Sequence, residues 1–228
     1  MAYDNQLFYL MQIAGGTFPS GGFSQSWGLE TYIEKGKVSD EKSFIQFIET
    51  YLESTVTRCE GPIMLEAYKL AAQWDYEGIR KLEELSCAIK VTKESRESSL
   101  RMGKAFMRIM TDIIDDDKLQ NIKGICRPEG ISYPVIYGAV CGRLGLDIGE
   151  SMKAFVFSTV NALVQSAVKL IPLGNKQAQQ ILLDLYPSMS KSAEESQKIN
   201  IDEVSNFCPG LDIASILHEY LPTRLYMS

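Results

Sequence analysis

Apolar residues recur three and four positions apart through most of this sequence, and no series of alternating Val/Ile/Thr-rich segments with Asn-Gly or Asp-Gly turns breaks the pattern. Such a period builds helices with one buried stripe, so the chain is expected to be all-α. No self-similar stretch of solenoid length occurs, and no linker is long enough to separate domains. Residues 1–228 are therefore expected to form a single-domain helical bundle of roughly eight to ten helices, ending in an extended C-terminal tail. With 45% of its residues hydrophobic, a chain of 228 residues can bury a core without help from disulfides or metal.

Punctuating residues divide the pattern. Gly15 and Gly16 stop a first helix over Gln6 to Ala14, Ser20 caps a second that runs to Glu34, and Gly36 ends it. Ser39 or Asp40 caps a third, and Gly61-Pro62 restarts the chain into a helix reaching Trp74. Helical spacing continues from Tyr76 to Lys90 and, as a continuation or a new helix, to Ile114. An irregular stretch from Asp115 to about Pro134 precedes helices over Val135 to Arg143 and Glu150 to Ile171, the second broken by Pro172. A short helix from Lys176 to Leu185 ends before Pro187, the polar stretch 188–203 has little helical signal, and a last helix carries His218.

Composition narrows the chemistry. A net charge of −6 repels phosphate backbones and anionic lipid, so neither nucleic acid nor membrane is an expected partner. The chain has a single histidine, the commonest general base and a leading transition-metal ligand, so any Ser-His or Cys-His mechanism has to run through His218. A lone His without a second ligand at metal spacing reads as a packing residue. The five cysteines, Cys59, Cys87, Cys126, Cys141 and Cys208, show no C-x-x-C spacing and read as small buried apolar residues in a reducing compartment. Asp4 stands where a signal peptide would be basic, and no apolar run is long enough to cross a bilayer, so a cytoplasmic location is expected.

Candidate functional residues follow from helical geometry. The Gly-rich Thr17–Phe23 loop lacks the Gly-Lys-Ser/Thr ending of a phosphate loop and reads as a turn between helices. On a continuous helix beyond it, Phe23, Trp27, Glu30 and Glu34 share one face, aromatic rings interleaved with carboxylates, as a partner surface would show, although core packing of the rings fits as well. Lys90, Lys93, Glu97, Arg101, Lys104 and Arg108 form a solvated stripe. Arg96 lies at its apolar border near Gly103 and needs a carboxylate or carbonyl partner, a structural tether. Asn161, Gln165 and Lys169 line up at i, i+4 and i+8 as the one polar edge of an otherwise apolar helix. No carboxylate, nucleophile and base come together by spacing, so no enzyme is expected; the weighed exception is a hydrolase using Ser24 or Ser26 with His218.

Four separated segments, taken together, resemble a known family. They are FPSGGFSQSWGLE (Phe18 to Glu30), KESRESSLRMG (Lys93 to Gly103), NALVQSAVKLIPLGNKQAQ (Asn161 to Gln179) and PGLDIASILHEYLPTRLYMS (Pro209 to Ser228). In that order and spacing they are similar to the motifs of the urease accessory protein UreF family, with Tyr133-Pro134 standing where many members carry His-Pro. The resemblance implies an all-α, dimer-forming, non-enzymatic chaperone of nickel insertion. It implies UreD (also called UreH), the GTPase UreG and apo-urease as partners, a GTPase-modulating role on UreG, and no cofactor, nickel being handled by partner proteins. Carried onto this chain, it assigns Phe23, Trp27, Glu30 and Lys169 to the UreG side and Arg224, Leu225 and Tyr226 to the UreD side. Arg96, Gly103, Pro172 and His218 are structural. The alternative is a general α-helical adaptor unrelated to urease.

Overall fold

The structure, a computed structural model, describes residues 5–227 apart from the Phe23 side chain. Its described residues contain no strand, only an isolated bridge between Arg127 and Gly130. The α-helices in chain order are α1 (Gln6–Ala14), α2 (Leu29–Glu34), α3 (Glu41–Tyr51), α4 (Gly61–Gln73), α5 (Tyr76–Ile89), α6 (Lys93–Ile113), α7 (Asp117–Asn121), α8 (Tyr133–Leu144), α9 (Ile148–Leu170), α10 (Asn175–Asp184), α11 (Tyr186–Ser196) and α12 (Pro209–His218). Several begin on short acceptor side chains: Asp40, Asp75, Thr92 and Asp147 each take the backbone N–H three residues on, satisfying a donor that the first turn leaves free.

The core is organised around α8, which is buried on every side. Gly138 and Gly142 make this possible by bringing α4 into backbone contact: a Cβ at either position would lie 2.0 Å from the Met64 carbonyl oxygen or 2.1 Å from that of Tyr68. On its other flank Tyr133 and Tyr137 join Phe106 of α6 and Phe155 of α9 in a ring cluster with centroids 5.2–5.8 Å apart. The N-terminus of α8 receives the buried Glu83 carboxylate, which accepts from the Ser132 amide at 3.0 Å. One contiguous apolar cluster extends from Leu10 to Leu211. Cys59, Cys87 and Cys141 are buried within the fold, and burial pushes the Cys59 thiol up to about 11 and that of Cys141 to about 12, which closes off thiolate chemistry at neutral pH.

Several local expectations are corrected. The segment 20–34 is not one helix: Gly22–Ser24 forms a single 3-10 turn, Trp27 and Gly28 take left-handed conformations (φ 48° and 86°), and α2 begins only at Leu29. Left-handed backbone is where a residue without Cβ is favoured, and at Gly28 a Cβ would also meet that of Ala214 at 3.3 Å. Gly61-Pro62 does not restart the chain either. A π-helical stretch, Leu52–Glu60, joins α3 to α4 without a break; the Gly61 N–H reaches back to Val56 O, and the wider register carries the backbone past a proline that cannot donate. The stretch 188–203, read as having little helical signal, carries α11 as far as Ser196, with Pro187 at a first-turn position, while α10 ends before Pro187 as expected; α7 occupies part of the stretch read as irregular, so the helices outnumber the expectation.

Lys90 is the sharpest departure. The chain breaks between α5 and α6, Thr92 caps α6, and Lys90 falls outside the solvated stripe, 2% exposed and ion-paired with Glu60 of the π-helical stretch. Burial pushes its ammonium down, but the Glu60 carboxylate together with the nearby Cys59 and Cys87 sulfurs outweighs that, and the net shift is upward. Residues 221–227 carry no helix or strand and lie along the body of the protein. No helix among the described residues is long and apolar enough to cross a membrane.

Candidate functional site

Three helix ends meet at one buried cluster. Glu30 lies in the first turn of α2, Glu94 in the first turn of α6, and His218 is the last residue of α12. Carboxylates at N-termini complement the local helix dipole, and the imidazole stands at a C-terminus. His218 is fully enclosed; its Nε2 lies 2.8 Å from Glu30 Oε2, and its Nδ1 lies 3.2 Å and 3.1 Å from the two oxygens of Glu94. Neighbouring bonds set the three helices in place: Thr31 Oγ1 donates to Ala214 O at 2.9 Å, and the Thr92 and Ser215 hydroxyls are 3.0 Å apart.

The cluster also holds the C-terminal segment. Glu30 Oε1 accepts from the Leu225 amide at 2.7 Å and Oε2 from the Tyr226 amide at 3.3 Å. Arg224 Nη1 stands 3.8 Å from Glu94 Oε1, the Tyr226 hydroxyl donates to Ser166 O of α9 at 3.4 Å, and the Met227 amide donates to Ser24 O at 2.8 Å. Residues from all four sequence segments thus converge: Ser24 and Glu30 from the first, Glu94 from the second, Ser166 from the third, His218 and the tail from the fourth.

This geometry settles what the ring can do. Both nitrogens face carboxylates and neither faces a serine, so the Ser24 or Ser26 hydrolase is overturned. Glu30 and Glu94 sit on opposite sides of the imidazole and cannot converge on one ion. Among the described residues no group of three or more His, Cys, Asp or Glu is placed to hold a metal.

The other singled-out residues divide by position. With α2 starting at Leu29, Phe23, Trp27 and Glu30 share no helical face: the Phe23 side chain lies outside the described residues, Trp27 is half-buried with its ring 6.3 Å from Tyr51, and Glu30 is 6% exposed. Lys169 is exposed on α9, one turn beyond Ser166. Arg224 is half-exposed, Leu225 projects outward at 74% exposure, and Tyr226 is buried. Arg96 finds a carbonyl partner, Lys90 O at 2.9 Å, and Gly103 is a close approach where a Cβ would strike Ile131 O. Pro172 follows the end of α9 and is exposed. Sequence reasoning missed the partnership of Glu30 and Glu94 with His218, because positions so far apart carry no mutual periodicity. It also missed the Lys90–Glu60 pair, for which the Thr92 cap was the available signal.

Comparison with known proteins agrees with the motifs. The family model described as UreF matches residues 38–186. The urease accessory protein UreF of Geobacillus kaustophilus is 32% identical over 225 residues, covering 99% of each chain. That of Sporosarcina pasteurii is 32% identical over 209 residues, 88% of this chain and all of the relative, and that of a Nostoc strain is 31% identical over 225 residues, 99% of this chain and 97% of the relative. Similarity of this extent, joined to four motifs that meet at one cluster, means that the chain belongs to the UreF family of urease accessory proteins.

Proposed function

We propose that this protein is a nickel-insertion chaperone that bridges UreD (UreH) and the GTPase UreG while the assembly docks on apo-urease, and that it modulates GTP hydrolysis by UreG. It acts in the cytoplasm as a homodimer, without a cofactor or catalytic group of its own, and nickel stays with its partners. An adaptor unrelated to urease has no support beside the family match.

The observation that carries this reading is the tail held by the Glu30–His218–Glu94 cluster beside an uncovered apolar surface. Ile213, Ile216, Tyr220 and Leu225 of α12 and the tail are each more than half exposed. Apolar side chains grouped this way mark protein–protein contact. We assign that surface to UreD, with Leu225 touching the partner while Arg224 and Tyr226 hold the tail in place. Lys169, exposed one turn from where Tyr226 meets α9, is assigned to UreG. Trp27 and Glu30 act through the loop and the tail they hold; a contact by Glu30 itself would require the tail to leave.

Co-purification of the full chain with UreD and UreG, read out by nickel-dependent urease activation, tests the assignment. Ile216→Glu with Leu225→Glu should abolish UreD capture while helicity is unchanged, and Lys169→Glu should weaken UreG capture without touching UreD. Normal capture and activation by both variants would refute the two surfaces, and a chain that stays monomeric in sedimentation would refute the homodimer.

A further inference from the structure

His218 is the chain's single histidine, and each of its ring nitrogens faces a carboxylate in a site closed to solvent. A neutral imidazole has one N–H and one lone pair, so it can serve only one of these acceptors; the other would then hold two lone pairs against each other. Imidazolium alone donates to both. Three packed elements supply the surrounding charge: α2 brings Glu30, α6 brings Glu94, and the tail brings Arg224. Just past the end of α12 Glu219 is exposed, and on α12 itself Asp212 lines a separate small cavity with Trp27 and Tyr51. Two carboxylates, an imidazolium and a guanidinium sum to zero; without the ring proton one buried negative charge has no counterpart.

The Glu30 carboxylate that meets the ring also accepts the Leu225 and Tyr226 amides. If it turns away from an unprotonated nitrogen, both amides lose their acceptor. We propose that docking of tail residues 224–227 is linked to one proton on His218: the doubly protonated ring holds Glu30 in place for the tail, and loss of that proton to solvent releases it. This linkage belongs to the chain alone and does not depend on which partner the tail meets.

A single histidine makes the test direct, because the imidazole Cε1–H gives one NMR signal in the full chain. The ring signal is followed between about pH 5 and 9, together with hydrogen exchange of the Leu225 and Tyr226 amides corrected for its intrinsic pH dependence. Protection of those amides should fall at least tenfold as the ring loses its second proton, with a common midpoint, while the amides of Phe155 and Val156 inside α9 stay unchanged. By reciprocity, ending the chain at Leu221 should lower the ring's midpoint by about one unit, the equivalent of tenfold linkage. Amide protection that ignores the ring's titration would overturn the proposal, as would a ring that keeps one state across the range, or an unmoved midpoint in a truncated chain of native helicity. If truncation unfolds the chain, the full-length measurement decides alone.

Discussion

Replacing Lys90 by Met removes one half of the buried Lys90–Glu60 ion pair. The lysine side chain is 2% exposed and that of Glu60 11%, so the variant leaves a carboxylate near the middle of the long α3–α4 helix with neither water nor a cation. Truncating one partner of such a pair costs about 3–5 kcal/mol, a large part of a total stability of about 5–15 kcal/mol. For a chain of this length, each kcal/mol moves the midpoint of thermal unfolding by about 2–4 °C, so Lys90→Met should melt about 6–20 °C earlier than the parent. The second arm separates a stranded charge from lost packing: with Glu60→Met added, no charge remains, and the double variant should return to within about 1 kcal/mol of the parent. Urea unfolding followed by far-ultraviolet circular dichroism measures all four members of the cycle. A cost below about 1 kcal/mol for Lys90→Met, or a double variant as unstable as the sum of the singles, would refute the reasoning.

Two further outcomes can be checked with the same assay. Asp116 is pushed up by partial burial but pulled further down by the Leu119 amide and the Arg143 guanidinium, whose Nη2 lies 2.8 Å away, so its net shift is downward. A lowered carboxyl stabilises the fold above its unfolded value and loses that contribution as pH falls through the folded value; Asp116→Asn, which keeps the cap, should cost about 1 kcal/mol at pH 7 and progressively less as pH falls below the ordinary Asp value of about 4. Gly138→Ala improves helix propensity by about 1 kcal/mol yet places a Cβ 2.0 Å from Met64 O, so the variant should lose about 3 kcal/mol or more; a gain in melting temperature would mean that α4 and α8 are not in backbone contact.

The residues show where sequence reading held and where it stopped. α1 begins and ends where the apolar period and the Gly15-Gly16 stop place it, and Asp40 caps α3 as read, because each signal lies within a few residues of what it controls. The segment from Ser20 to Glu34 carries a plausible helical pattern, yet it breaks at Trp27-Gly28, whose left-handed backbone packs against α12 near Ala214. Lys90 sits in register with a solvated stripe only if α5 and α6 are one helix; the break at Thr92 turns it inward. The cluster itself was readable only as separate motifs, with Glu30 assigned to a partner, His218 to the last helix and the tail to an interface.

The sequence by itself determined the helical class and the family, because period and motif order are properties of the chain read in one dimension. Only the tertiary structure decided that Glu30, Glu94 and His218 form one buried hydrogen-bonded cluster, and that the tail is seated on it. Their 2.8–3.2 Å contacts join positions more than a hundred residues apart, and burial is what turns those contacts into an obligation to share protons and charge.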